Sequence, residues 1–527
     1  MNTKLKQVGT EIAALVLCTV FFFWYLSNSF GALFVDEVVY TVSGYNLITG
    51  RNIFMYLEHP PLVKYLIGLF LVLFGISSSV ARLSSIVLGV ATVYLTFMIA
   101  KEIKKESIGL LSVIMLGSTP LFASHSTMAM LDIPLTFFVA LLALLTLKYV
   151  HARPKKRKII AMSLGVVSGF VATSKFYGIY FIVPAMIFGG YYAFNELRTK
   201  GATTPGTHSL APMIQKLAQE CALCIFGFGV TFLLVYIPYL PDLAGVFSYA
   251  YEYNVVHMKG GHRVIVAGQV YTYPPLWTYF YWLTVDASPL YLIGLTLSIF
   301  VIWKLKDESK LFALMTGIPF VIFSLMPVKF PRYLIPILPF CSILTAISIT
   351  YLVTVLLHFA FRASFSPLRW TRKIDMRTVS YVTFLFLLLL PSSPLYCALT
   401  DPDIGIDSEY DLAARIVIKI AVDCPNTVVL SWYAPCLEFY IPLENREKYN
   451  ITVLNIAPST PRDNKTHQML LEGKVDLSVM YDDYPRFPDS PTINYILSHA
   501  FRKEHVGKGR LYIFYMKNCT KQDSLLG

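Results

Sequence analysis

Charged residues are scarce in this chain. Asp, Glu, Lys and Arg make up 14% of its 527 positions, whereas a soluble domain carries about 25%. Together with 55% hydrophobic residues, 15% aromatic residues and a mean hydropathy of +0.58, that scarcity excludes a water-soluble enzyme and a disordered chain. Cysteine is sparse too. The eight cysteines (18, 221, 224, 341, 397, 424, 436 and 519) show no zinc or redox spacing, which excludes a disulfide-framework module. Cys221 and Cys224 form a C-x-x-C, but inside an apolar helix, where two small packing residues are the simpler reading. No internal repeat and no low-complexity tract is present. What remains is an integral membrane protein.

The formal charge of +12 would suggest nucleic acid in a soluble protein, but here it is unevenly placed. Residues 401–527 hold 14 basic and 17 acidic residues, so the excess belongs to the first 400. Membrane proteins place such an excess in cytoplasmic loops, and no nucleic-acid partner is implied.

Apolar runs long enough for about 30 Å of hydrocarbon lie near residues 9–31, 82–101, 107–125, 131–150, 158–174, 176–195, 218–239, 287–304, 311–327, 333–358 and 378–398. A twelfth run, Leu62 to Phe74, is shorter, opens after Pro60-Pro61 and carries Lys64. If it crossed, the basic segments KEIKKES and HARPKKRK would face outward. If it lies in the interface, 21 basic residues fall in cytoplasmic segments and eight outside, as the positive-inside bias demands. The sequence therefore predicts about eleven spans over 1–400, with the N-terminal run retained as an anchor, and an outward tail over 401–527. The tail alternates β-rich runs (427–432, 451–456, 475–480, 511–515) with helical pattern (409–422, 492–499), which predicts a small α/β domain. Its three N-x-[ST] sequons, at Asn450, Asn464 and Asn518, agree with that side. Cys424 and Cys436 are close enough in sequence to pair there.

With this topology the unusual polar residues fall on one membrane face. Asp36 and Glu37 follow the first span. Glu58, His59 and Lys64 flank the interfacial run, and Asp132 begins the fourth span. Lys175 sits at a tight outer turn, His257 and His262 lie in the long loop 240–286, and Arg332 with Tyr333 opens the tenth span. Each has a plain alternative. The acids suit solvated loops or the positive end of a helix dipole, the cations suit snorkelling to headgroups, and the histidines suit an ordinary loop. Trp277, Tyr279, Tyr281 and Trp282 suit an interfacial belt. Cations on the outward face run against the insertion bias, which marks them as partners for an anion.

The string FVDEVVYTVSGYNLITGRNIFMYLEHPPLVKYLIGLFLVLFG, then Arg82, MLDIPLTFF (130–138) and PRYLIPILPF (331–340), resembles the dolichyl-phosphate-mannose protein mannosyltransferase and aminoarabinose lipid A transferase group of GT-C membrane glycosyltransferases. The resemblance spans roughly residues 10–360. It implies a polytopic α-helical GT-C fold with interfacial helices in the first outer loop, a polyprenyl-phosphate-linked sugar as donor, and inverting transfer to a hydroxyl of a protein, lipid or glycan acceptor at the extracytoplasmic face of the plasma membrane or endoplasmic reticulum.

It also implies roles. Asp36 is the general base with Glu37 beside it; Lys64, Lys175, Arg332 and Tyr333 bind the donor phosphate; Glu58, His59 and Asp132 meet the sugar or acceptor. A divalent cation on Glu58, Asp132 and His257 or His262 is an option the resemblance leaves open. Neither the β-trefoil-like insertion of eukaryotic protein mannosyltransferases nor the Trp-Trp-Asp motif of oligosaccharyltransferases is present. The rival class is a secondary transporter of a small anionic solute, which predicts inverted repeats and midplane charges rather than span-end ones. On the transferase reading the scattered carboxylates and cations converge on a shared pocket.

Overall fold

The computed structural model describes residues 3–103, 106–203, 211–301, 307–364, 376–390, 393–400, 409–431, 434–456, 461–481, 490–506 and 511–517. The chain is mostly helix and divides into two units. The first comprises Met1–Asn28, Ser43–Ile76 and Val80–Ile404; the second comprises Ser29–Val42, Ser77–Ser79 and Gly405–Gly527. Residues 29–42 and 77–79, which the sequence assigns to the membrane part, thus belong with the tail. Within that unit the Leu33 amide donates to the Tyr440 hydroxyl (2.6 Å) and the Ser79 hydroxyl to the Ser29 carbonyl (3.4 Å).

The apolar runs form the helices Thr3–Ser27, Ser78–Glu102, Glu106–Ser118 with Pro120–Ser126, Asp132–His151, Pro154–Ser174, Ile179–Thr203, Ala211–Tyr236, Pro289–Val301, Lys310–Leu325 and Leu338–Ser364. The protein is integral to the membrane. Among the described residues six helical segments are long and apolar enough to cross alone, and the pair bent by 66° at residue 119 makes a seventh. Eleven is therefore the number of apolar runs, not of helices that meet that test: Pro289–Val301 has 13 residues, about 20 Å at 1.5 Å per residue, and Pro154–Ser174 opens on KKRK. The last run, 378–398, is two helices, Met376–Leu387 and Pro394–Thr400, because a proline starts a helix more readily than it continues one.

The bend at Thr119–Pro120 has a local cause and remote support. Pro120 has no amide hydrogen, and Thr119 is extended (φ −64°, ψ 121°). In hydrocarbon the freed polar groups need partners from the protein. The Tyr25 hydroxyl donates to the Gly117 carbonyl (2.6 Å), and Thr119 Oγ1 is hydrogen-bonded to the Tyr291 hydroxyl (2.7 Å), which also meets Ser342 Oγ (2.9 Å).

Leu62–Phe74 is a helix of 13 residues, too short to cross. Its buried face (Leu62, Val63, Lys64, Ile67, Gly68, Leu71) opposes an exposed apolar face that includes Leu69, Val72, Leu73 and Phe74, the pattern of a helix lying at an interface. It crosses the helix Val35–Thr49 at Gly44 and Gly68. A side chain on either glycine would collide with the backbone of the other helix, at the Lys64 or Gly44 carbonyl, so the close approach requires glycine. Residues 264–266 (β1) and 269–271 (β2) form an antiparallel hairpin in the loop that follows Ala211–Tyr236.

The second unit holds a five-stranded sheet in the order β4-β3-β5-β7-β6, with β3 Val428–Ser431, β4 Thr452–Asn455, β5 Leu477–Tyr481, β6 Arg502–Val506 and β7 Leu511–Tyr515. The first three are mutually parallel and β6 and β7 antiparallel. Helices Tyr410–Asp423 and Pro491–His499 accompany it, so the tail is an α/β unit. The sequence missed β6. Its RKEHV sequence reads as a charged loop, yet it lies at the sheet edge, where charge discourages pairing with another chain. Of the sequons, Asn450 is exposed, and Asn518 and the side chains of Asn464 and Cys436 lie outside the described residues.

Gly68→Val should abolish recovery of folded, monodisperse protein in detergent, whereas Gly189→Val, at a position open on all sides, should leave it intact. Size-exclusion chromatography with a thermal melt distinguishes the two.

Candidate active site

Asp132 organises the polar residues of the first unit. It opens the helix Asp132–His151 and is wholly buried. Its Oδ1 accepts from Lys175 Nζ (2.8 Å) and from the Tyr177 hydroxyl (2.7 Å), whereas Oδ2 has no hydrogen-bond partner among the described residues. Lys175 is placed by a break in the chain: it is extended (φ −159°, ψ 140°) between the helix Pro154–Ser174 and the single turn Phe176–Gly178. Its ammonium lies over the rings of Tyr177 (4.9 Å) and Tyr333 (5.6 Å), a cation–π setting. Those rings pack on each other (4.8 Å between centroids) and on Phe323.

Arg332 lies in the 3-10 turn Pro331–Ile337, which feeds the helix Leu338–Ser364. Its guanidinium lies over Phe330 (4.8 Å), and its charge, with that of Lys175, acts on Asp132. His59 closes the same group. Burial, then Lys175, Lys64 and Arg332, hold its imidazole well below the ordinary histidine range, against the opposing pull of Asp132. His59 is therefore neutral at pH 7.

Lys64 is 1% exposed and is held by backbone. Its ammonium donates to the carbonyls of Tyr56 and His59, the latter at 2.9 Å, and so ties the loop before its own helix. Burial pushes Lys64 down to about 8, with Glu58 opposing. Two of its three donors are thus engaged by backbone, and it reaches the group as a nearby charge. Glu58 is fixed through its backbone, its carbonyl accepting from Asn254 Nδ2 (3.2 Å).

His257 and His262 meet each other (5.4 Å between rings) and Phe330 (6.4 and 4.6 Å). Among the described residues no three or more His, Cys, Asp or Glu side chains form a set able to hold a metal ion. The set Glu58, Asp132, His257 and His262 does not fit one for a physical reason as well. The bonded oxygen of Asp132 already faces an ammonium, and a second cation there meets the charges of Lys175 and Arg332. No step below runs through a metal.

Asp36 and Glu37 lie in the second unit, in the first turn of Val35–Thr49. Glu37 is buried, and its Oε2 accepts the amide of Phe34 (2.8 Å), the carboxylate half of a capping box. Asp36 is half-buried. Sequence reasoning missed Tyr177 and His125. Tyr177 follows Lys175 by two residues in K-F-Y-G, and spacing around a suspected cation was the one available signal. His125 sits in an apolar run and gave none.

This arrangement of helices, with a short interfacial helix in the first loop and an α/β tail, has the GT-C fold. Residues 58–215 match the family described as dolichyl-phosphate-mannose-protein mannosyltransferase. The chain is similar to the crystal structure of ArnT from Cupriavidus metallidurans bound to undecaprenyl phosphate, at 16% identity over 98% of this chain and 99% of that one, with a TM-score of 0.57. It is similar also to the archaeal oligosaccharyltransferase AglB from Archaeoglobus fulgidus in complex with an inhibitory peptide and a dolichol-phosphate, at 13% identity over 90% and 70% of the two chains, with a TM-score of 0.55. An uncharacterized protein of Aquifex aeolicus (strain VF5) is 25% identical over 67% of this chain and 71% of its own.

Asp132→Asn strands a buried ammonium and should destabilise the protein by about 3–5 kcal/mol, whereas the double variant Asp132→Leu with Lys175→Met should lose much less; detergent unfolding curves for the three proteins provide the comparison. Acid should also destabilise it through His59. Below pH 6.5 the unfolded chain takes a proton that the folded one refuses, so stability falls as pH falls, by at most about 1.4 kcal/mol per pH unit for this group. His59→Asn should flatten the difference between melts at pH 5 and pH 7.

Proposed function

We propose that this protein transfers a sugar from a polyprenyl-phosphate-linked donor to an acceptor hydroxyl at the extracytoplasmic face of the membrane, with inversion. The observation that carries this reading is the gathering of cations around Asp132 inside an apolar unit: Lys175 is bonded to that buried carboxylate, Arg332 acts on it by charge, and Lys64 and Arg332 act with Lys175 on His59. Cations gathered in this way suit a phosphate, and a phosphate carried on a lipid reaches such a place through the bilayer. The solved structures of ArnT and AglB hold undecaprenyl phosphate and dolichol-phosphate respectively, which supports the donor class.

On this proposal the acceptor oxygen attacks the anomeric carbon and its proton passes to the carboxylate of Asp36, the general base. The bond from that carbon to the phosphate oxygen breaks, and the electron pair leaves with the polyprenyl phosphate. Lys175 and Arg332 stabilise the charge that builds on the leaving oxygens, Arg332 through the planar fork that matches two phosphate oxygens. Tyr333, stacked beside Lys175, is assigned to the same phosphate, and Lys64 contributes its potential. Glu58 and His59 are assigned to the sugar or acceptor, with Asp132 acting through Lys175. The acceptor is a protein, lipid or glycan hydroxyl, and the tail 401–527 is an extracytoplasmic domain.

Asp36→Asn should reduce sugar transfer by roughly 10²–10⁴-fold while leaving insertion, folding and binding of undecaprenyl phosphate unchanged. Arg332→Lys should instead weaken lipid-phosphate binding. Purified protein, supplied in turn with several polyprenyl-phosphate sugars, gives both readouts through donor consumption and binding. An Asp36→Asn protein that still consumes donor at the unaltered rate overturns the reading.

A further inference from the structure

The first unit holds an open cavity of about 500 Å³ that the account above does not use. It is lined by Trp24, Ser118, Ser124, His125, Asp286 and Pro331, among others. Its size falls within the roughly 300–1,000 Å³ of small-ligand sites. Pro331 precedes Arg332 in the chain, and the charges of Asp132, Arg332 and Lys175 all act on His125, so the cavity adjoins the cationic group.

Its polar groups have a common character. Asp286 lies in a π-type turn, Leu283–Ala287, closed by the Ser288 amide on the Leu283 carbonyl (2.9 Å); such turns are rare and often mark functional sites. No hydrogen bond engages its carboxylate among the described residues, and burial pushes its pKa up to about 6. His125 Nδ1 lies 3.0 Å from the Leu121 carbonyl. A carbonyl only accepts, so the proton is on Nδ1 and the other ring nitrogen is a lone-pair acceptor in the neutral imidazole. The cavity thus offers a carboxylate and an imidazole acceptor beside an indole.

Acceptors of this kind repel a phosphate, and the neighbouring Lys175 and Arg332 repel a cationic ligand. What satisfies both is a neutral molecule rich in hydroxyl donors with an apolar ring face to set against Trp24. We propose that this cavity is a sugar-ring subsite in which Asp286 and His125 accept hydroxyl hydrogens, and that these two residues determine sugar specificity. The assignment rests on the transferase reading above. The ring belongs either to the donor or to a glycan acceptor, two sources of one chemistry.

The test uses the purified full chain in nanodiscs with undecaprenyl phosphate, undecaprenyl-phosphate mannose and undecaprenyl-phosphate glucose as lipids, and octyl mannoside and octyl glucoside as acceptor probes. For Asp286→Asn and His125→Gln we expect KM to rise roughly tenfold or more, as loss of a hydrogen bond to a charged or buried acceptor implies, with kcat and binding of sugar-free undecaprenyl phosphate unchanged. A rise in donor KM during acceptor-free hydrolysis assigns the ring to the donor. A rise confined to the alkyl glycoside assigns it to the acceptor. Both variants keeping every KM of the unaltered protein overturns the subsite while leaving the transferase reading intact. Failure of the unaltered protein to bind undecaprenyl phosphate or consume either donor overturns both. Should a variant not fold, a diazirine-bearing sugar on the same lipids or glycosides, cross-linked to the unaltered protein, should label residues 118–125 and 283–287. Labelling confined to other segments overturns the proposal.

Discussion

A carboxylate and an ammonium 2.8 Å apart with almost no solvent set the terms for the rest of the first unit. Removing two charges from water costs several kcal/mol per ion after relaxation, and in a membrane protein no surface exists to which they can retreat. The pair is therefore tolerable only if its geometry is fixed from several directions. Tyr177 adds a hydrogen bond, the rings of Tyr177 and Tyr333 surround the ammonium, and the helix start at Asp132 and the break at Lys175 hold the two backbones. The same demand explains why the other lysines of this region are not idle: Lys64 and Lys329 are buried and donate to loop carbonyls.

The division between positive and hydroxyl-accepting surroundings follows from this arrangement. The charges of Lys175 and Arg332 act on His125, and Asp286 and Trp24 line the same cavity as His125. A substrate that joins a phosphate to a sugar has that polarity along its own length, and each part finds the environment it needs without a counter-ion. Neutral imidazoles at His59 and His125 add no charge to either side and so do not blur the boundary.

Much of this was legible in the sequence, for a definite reason. Asp132, Lys175 and Arg332 interrupt apolar runs at their ends, and a charge in such a place is conspicuous against a background of 14% charged residues. Their mutual pairing was not legible, because 43 residues separate Asp132 from Lys175. Tyr177 offered only its spacing from Lys175, and His125 and Asp286 were invisible: a histidine in an apolar run carries no signal, and Asp286 gains its meaning from a turn type that sequence does not announce. The hold of Lys64 on the carbonyls of Tyr56 and His59 was not legible either, because it depends on how the loop before its helix folds back. Strand β6 was lost because edge strands tolerate the charges that elsewhere signal a loop.

The bend at Thr119–Pro120 also bears on how such a protein changes over time. Its hydrogen bonds come from Tyr25 and Tyr291, and Tyr291 is in turn bonded to Ser342, on three separate helices, so the position of His125, six residues past Thr119, depends on side chains outside the lining of the cavity. Relatives therefore have a route to new substrates that leaves every ligand-touching residue intact: altering one of those remote hydroxyls re-aims the segment. Divergence among them is then best sought at the hinge's supports rather than in the walls of the chamber.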